Sequence, residues 1–300
     1  MRVLITGATG FVSSYFLRYD SEDHEIFALG RSLPDGVGSN VKLIPCDLAD
    51  ASDLDQLRTG GGLPDKIDCV VHMAVSRRHR DFPSGAMDLF GVNCFALQQL
   101  LQYAVDVGAK SFVLGSTCSV YDGMPTDKEI SEVEVPNPTR YWPATKYAAD
   151  MIAMMYQNLF PVSVLRFATP YGPSQYDRLI PELFRRVTND IPVLLPPEGD
   201  GIIMRPIFVS DAAQVLKAAI GDAWSGIYNV AGSDVYSLRA IAAMIGEITN
   251  RDVVFERSPN SAAYAIVPGV EKLESKFEKF ENFVPLREGL EAIFKEDISA

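Results

Sequence analysis

Arg2-Val-Leu-Ile-Thr-Gly7-Ala-Thr-Gly10-Phe-Val-Ser13 begins as a short β-branched run, stops at a glycine turn and passes into a helical pattern that reaches Tyr19. Strand, tight turn and helix in that order make the first βα unit of a parallel sheet. Gly7 can take a positive φ in the turn. Gly10 lets a phosphate reach the backbone N–H groups of the helix N-terminus, where the helix dipole favours anions. Gly7, Thr9, Gly10, Phe11 and Val12 are therefore candidates to hold the phosphates of a dinucleotide. The other reading of the same turn is a tight βα connection without a ligand.

Outward from this unit the pattern repeats. Glu25 to Leu29 reads as a second strand ending at Gly30-Arg31-Ser32, twenty residues beyond Gly10, where an adenine ribose would be read. An acid there accepts from a 2′-hydroxyl, whereas a small residue followed by Arg suits a 2′-phosphate, so Arg31 and Ser32 predict NADP in preference to NAD. Val41 to Cys46 is a third strand, ending at Asp47-Leu48. Cys69 to Met73 is a fourth, ending at Ala74-Val75, and its His72 is expected to be packed and hydrogen-bonded. Met87 to Val107 has apolar residues on more than one face, as in a long helix buried against both the sheet and a partner. Ser111 to Leu114 is a fifth strand running into Gly115-Ser-Thr-Cys-Ser-Val-Tyr121, whose hydroxyls either bond a substrate oxygen or cap the following turn.

Val162 to Phe167 is a sixth strand, and the alternation up to this point specifies an α/β fold of the Rossmann type, a doubly wound parallel sheet. After Thr169-Pro-Tyr-Gly-Pro173 prolines become dense and elements shorter. Residues 1–168 are thus expected to form a dinucleotide-binding domain. Residues 169–300 are expected to form mainly a smaller C-terminal substrate-binding lobe, with segments returning to the first.

Composition narrows the function classes. The chain has 300 residues, 47% of them hydrophobic, and a net charge of -12, which argues against nucleic acid or an anionic membrane surface as partner and leaves small anionic ligands. Four dispersed cysteines and three histidines outline neither a metal site nor a disulfide framework. No apolar run is long enough for a signal peptide or a membrane span, so a soluble cytoplasmic protein is expected.

Chemistry concentrates in Pro138-Thr-Arg-Tyr-Trp-Pro-Ala-Thr-Lys-Tyr-Ala-Ala-Asp150. A phenol beside a fixed ammonium is a usable acid/base near neutral pH, and Lys146 supplies the ammonium. On a helix the residue four before Lys146 shares its face, offset by about 40°, while the residue five before is offset by about 140°. Position 142 is Trp, and an indole N–H does not exchange its proton at neutral pH. Tyr141 reaches the face of Lys146 only if the helix starts late, as Pro143 allows, or carries a π-bulge.

Together these residues resemble the extended short-chain dehydrogenase/reductase family, in particular its NAD(P)-dependent nucleotide-sugar epimerase/dehydratase members. Thr6-Gly-Ala-Thr-Gly-Phe-Val matches the family's phosphate loop, with Ser13 in place of its last glycine. Further matches are Asp47-Leu48, His72-Met-Ala-Val75, Ser116-Thr-Cys-Ser-Val-Tyr121, Arg166-Phe-Ala-Thr-Pro-Tyr-Gly-Pro173 and Arg205-Pro-Ile-Phe-Val-Ser-Asp211. The resemblance implies that Asp47 and Leu48 hold the adenine. It places Met73, Ala74, Val75 and Phe167 beside the nicotinamide ribose, which Lys146 would bind. Thr117, Tyr141 and Lys146 would be catalytic, and Thr117, Thr169 and Arg205 would bind substrate.

A nucleotide-activated sugar or related carbinol is the implied substrate, with hydride passing to and from the nicotinamide and no metal. A homodimer through a four-helix bundle is implied too. Because Trp142 stands in the family's tyrosine slot, two other readings stay open. One is a redox-inactive NADP-binding sensor or scaffold; the other moves the acid/base role to Tyr121 or Cys118.

Overall fold

The computed structural model describes residues 1–124, 128–261, 264–277 and 280–299. In chain order, the first part comprises β1 (Arg2–Thr6), α1 (Phe11–Tyr19), β2 (Glu25–Gly30), β3 (Val41–Pro45), α2 (Ala51–Thr59), β4 (Cys69–His72) and α3 (Ala86–Phe90). A π-helical segment (Gly91–Phe95), α4 (Ala96–Asp106), β5 (Ser111–Thr117), α5 (Tyr141–Met154) and β6 (Val162–Phe167) follow. Then come β7 (Pro170–Tyr171), α6 (Leu179–Thr188), β8 (Val193–Leu195), β9 (Ile203–Met204), β10 (Ile207–Phe208), α7 (Val209–Gly221), β11 (Gly226–Val230), β12 (Tyr236–Ser237), α8 (Leu238–Thr249), β13 (Phe255–Arg257), β14 (Ala265–Ile266), α9 (Glu271–Glu274) and α10 (Leu286–Ser299).

Among the described residues one sheet has seven strands, in the order β11-β6-β5-β4-β1-β2-β3. The pairings from β3 across to β6 are all parallel, so the doubly wound sheet expected from the alternation is present. Central strands β1, β4, β5 and β6 are apolar runs buried on both faces, as a sheet covered by helices on both sides requires. Leu97, Leu100, Leu101 and Ala104 of α4 and Ala149 and Ala153 of α5 join the core against Leu4, Val70, Phe112 and Val164 of these strands.

The structure departs from the sequence reading in three places. β5 runs to Thr117 rather than Leu114, because β6 pairs with it in register out to Phe167. α5 ends at Met154, short of Leu159, and Pro161 follows within seven residues. The long helix expected from Met87 to Val107 is interrupted by the π turn, in which the Ala96 N–H bonds to the Gly91 carbonyl.

The chain divides into two compact units. The first comprises residues 1–123, 135–167 and 213–228, and the second 124–134, 168–212 and 229–300. The second has its own core, in which Ile180, Leu183, Phe184 and Val187 of α6 pack with Ile241, Ala242 and Ile245 of α8 and Leu290 of α10. Asn229 knits its distant segments together, donating to the carbonyls of Ile130 (3.0 Å) and Gly269 (3.1 Å).

Candidate active site

In the first unit, the C-terminal ends of β1, β4 and β5 lie side by side, and each delivers a different part of the site. Gly7 has φ 72°. A Cβ there would sit 2.6 Å from the Ala74 nitrogen, so the turn after β1 and the strand end after β4 approach more closely than any side chain allows. The Gly10 N–H closes the turn onto the Gly7 carbonyl at 2.8 Å. Gly10 then caps α1 with no side-chain acceptor, and no acid lies in the first helical turn. Backbone donors at that terminus have no carboxylate of the chain's own competing for them, and Thr9 and Gly10 are exposed above it while Val12 is buried beneath. This cradle fits a dinucleotide pyrophosphate.

Where an adenine ribose would lie, Arg31 and Ser32 are exposed after β2, and the Arg31 guanidinium lies 3.8 Å from Asp47. Asp47 accepts from the Ala49 N–H at 3.1 Å, and Leu48 is buried beside it. After β4, Ala74 is buried, Met73 half-buried and Val75 exposed.

His72 is the packed histidine that its strand position predicts. Its Nε2 lies 3.1 Å from the Val92 carbonyl, which only accepts, so Nε2 carries the hydrogen and Nδ1 accepts from the Thr6 hydroxyl at 2.8 Å. Burial, with Lys146 adding repulsion, pushes the imidazole down to about 3. The Val92 carbonyl belongs to the π segment, whose next residues reach α5: Asn93 donates to the Thr145 hydroxyl at 2.9 Å, and the Cys94 thiol lies 3.6 Å from the Thr145 carbonyl. Asn93 was not foreseen as a site residue. The visible signal was a lone amide in an otherwise apolar helical run.

Lys146 is 4% exposed and donates to the Gly115 carbonyl at 2.8 Å. Burial pushes its ammonium down to about 8, against the opposing pull of Asp150. Asp150 accepts from the Arg166 Nε at 2.9 Å, and Arg166 donates to the Tyr121 hydroxyl at 2.6 Å. Burial pushes the Asp150 carboxyl up, with Arg166 opposing. Tyr121 is fully buried on that arginine, and the buried Cys118 thiol lies 3.0 Å from the Arg166 carbonyl. Both therefore serve packing and cannot take over an acid/base role that needs contact with substrate. Thr117, at the end of β5, caps the next turn by accepting from the Ser119 N–H at 3.1 Å. Its hydroxyl hydrogen is not used by that bond.

The expectation for Tyr141 is not met. α5 is regular from Tyr141 onward, and the Ala144 N–H bonds to the Arg140 carbonyl at 3.0 Å, so the helix neither starts late nor bulges before Lys146. Pro143 sits in the first turn, where its missing N–H costs nothing. It therefore permits helix from Tyr141 rather than delaying it. Trp142 holds the position four before Lys146, and the Tyr141 ring turns to Phe82, with centroids 5.1 Å apart. The His79 ring lies against Trp142 at 5.6 Å.

A model of the NAD dependent epimerase/dehydratase family matches residues 3–231, from the glycine turn through β11. The chain belongs to this family. The resemblance to the extended short-chain dehydrogenases is thereby borne out, and with it membership of an enzyme family. The chain is 27% identical over 287 residues to the low-salt glycan biosynthesis protein Agl12 of Haloferax volcanii, covering 89% of this chain and 90% of that one. It is 27% identical over 247 residues to the dTDP-D-glucose 4,6-dehydratase of Mus musculus, covering 76% and 67%. The UDP-glucose 4-epimerase of Thermus thermophilus in complex with NAD has the same fold, with a TM-score of 0.83, 22% identity and 100% of both chains covered. None of these relatives supports the sensor reading.

In the second unit, Thr169 holds φ 44°, a left-handed conformation uncommon for a β-branched residue. Arg205 is buried and donates to Glu129 at 3.0 Å and to the Pro268 carbonyl at 2.9 Å, while its Nε has no acceptor. Phe167, the last residue of β6 in the first unit, is buried. Among the described residues no cluster of His, Cys, Asp and Glu outlines a metal site, and no helix is long and apolar enough to cross a membrane.

Proposed function

We propose that the chain catalyses NAD(P)-dependent hydride transfer on a nucleotide-linked sugar, as in an epimerase or dehydratase. The observation that carries this reading is Lys146, a buried ammonium at the C-terminal end of β5 in the same unit as an intact glycine cradle. The dTDP-D-glucose 4,6-dehydratase relative supports a nucleotide sugar as substrate. When bound, the nicotinamide supplies the hydride acceptor and donor. Lys146 holds its ribose, Gly7, Thr9, Gly10, Phe11 and Val12 its pyrophosphate, and Met73, Ala74, Val75 and Phe167 line the nicotinamide end. Asp47 and Leu48 face the adenine. Thr117 holds the reacting oxygen, and Thr169 and Arg205 of the second unit are the proposed substrate contacts.

For the cofactor, exposed Arg31 after β2, in a position without an acid, favours NADP. For assembly, Met87 and Phe90 of α3 and Met151 of α5, together with Met155 just beyond it, are exposed apolar side chains, which suits a homodimer through these helices. A monomer mass in solution overturns that part. The four buried free cysteines fit a reducing compartment such as the cytoplasm.

The test is a titration with NADPH and NADH followed by nicotinamide fluorescence, then a search for cofactor-dependent turnover against UDP- and dTDP-linked hexoses. Cofactor binding with conversion of one of them is the expected result. Absence of binding at millimolar cofactor overturns the reading.

A further inference from the structure

In the hydride-transfer reading, which this inference rests on, a phenol beside the lysine has two tasks: a hydrogen bond to the reacting oxygen, and exchange of that oxygen's proton. Here the position that shares the face of Lys146 is an indole, and Tyr141 is turned to Phe82. The Trp142 Nε1 is buried and has no acceptor in the chain. A buried N–H left unpaired costs about 1–3 kcal/mol, so this donor is best explained by an acceptor that arrives with a ligand. An indole can donate that bond but cannot exchange its proton.

The ring against it can. His79 lies seven residues beyond the end of β4, in the loop at the C-terminal edge of the sheet where open α/β folds take their ligands. The other two imidazoles are committed elsewhere: His72 is locked between Thr6 and Val92, and His24 precedes β2 at the opposite edge of the sheet. The charged and titratable groups near His79 are Arg77, Arg78, Arg80 and Asp81 of its own loop, Asp88 of α3, which with Asp81 holds Arg78, and Tyr141 and Lys146 of α5.

We propose that Trp142 and His79 divide the work of the missing phenol. The indole N–H donates to the sugar oxygen, and the neutral imidazole of His79 takes the proton of that hydroxyl. As the O–H bond breaks toward His79, the electron pair of the neighbouring C–H bond leaves as hydride to NAD(P)+, and a carbonyl forms. In the reverse direction the imidazolium returns the proton to the oxygen as hydride comes back to carbon. Both are catalytic residues in this proposal, and Tyr141 is not the proton carrier.

The first test uses cofactor-free protein. The chain has two tryptophans, and Trp224 is buried against Tyr228. A protonated imidazole beside an indole quenches it, so emission is expected to fall sigmoidally as pH drops from 9 to 5. His79→Gln removes the step and Trp142→Phe removes the quenched signal.

The second test measures turnover of UDP- and dTDP-linked hexoses. His79→Gln is expected to lower kcat by about a hundredfold and to abolish the acid limb of the pH–rate profile, with NADPH affinity retained. The loss from Tyr141→Phe is expected to be at least tenfold smaller. Trp142→Tyr, which puts a phenol on the face of Lys146, is expected to restore turnover in the His79→Gln background. Wild-type turnover and pH profile in His79→Gln overturn the proposal while the hydride-transfer reading survives. Wild-type protein that binds NADPH but converts no nucleotide sugar overturns both.

Discussion

The phosphate turn after β1 and the first turn of α5 form two ends of one candidate site, and they are specified in different ways. Backbone contact builds the first: Gly7 is where a Cβ would collide with Ala74, and no register choice enters. Side-chain phase builds the second, since one residue of helical register decides whether Tyr141 or Trp142 shares the face of Lys146. A site fixed by backbone contact tolerates no substitution but is simple to read. A site fixed by phase tolerates many residues and changes chemistry when one of them slides.

The largest expected effect tests the backbone-built end. Gly7→Ala meets both a positive φ and a backbone contact, with a cost on the order of 3–5 kcal/mol in stability and at least about a hundredfold in NADPH affinity. Thermal unfolding of the cofactor-free variant and a fluorescence titration measure the two. A variant that binds and melts like wild type breaks the contrast.

Next in size is His72, which ties the two ends together through Thr6 and Val92. Its folded pKa, about 3, lies below its unfolded value, so between roughly pH 6.5 and 3 the unfolded chain binds the proton first. Its contribution is fully present above pH 6.5 and is lost as pH falls toward 3, on the order of 4 kcal/mol in all. Chemical denaturation at a series of pH values should show a shallower acid slope in His72→Asn, and an unchanged slope rules out a neutral buried imidazole.

The smallest effect lies at the adenine end. Arg31→Ala should lower the NADPH/NADH affinity ratio about tenfold. Unaltered selectivity removes the basis for NADP.

Legibility in the sequence follows the same division. The glycine turn, the strand ends at Asp47 and Ala74, the packed His72 and the parallel order of β1 to β6 all follow from local pattern, and all are present. The helical phase at Trp142 was also readable, because it needs only a count back from Lys146. The approach of His79 and Phe82 to α5 was not, since it joins residues about sixty positions apart through a loop with no periodicity. Nor were the burial of Tyr121 and Cys118 on Arg166, or the Glu129–Arg205 pair, each of which depends on tertiary packing.

The π segment at Gly91–Phe95 left no trace in the apolar pattern either, yet it amounts to one extra residue wound into a helix. Deleting a single residue there would let Ala86 to Asp106 close into plain α-helix and turn one half against the other by about 100°, with an axial shift of about 1.5 Å. Either Leu97, Leu100 and Leu101 would leave the core, or Val92, Asn93 and Cys94 would let go of His72 and Thr145. The length of this helix is therefore as constrained as its composition. Single-residue deletions between Gly91 and Phe95 should be more damaging than most substitutions at the same positions.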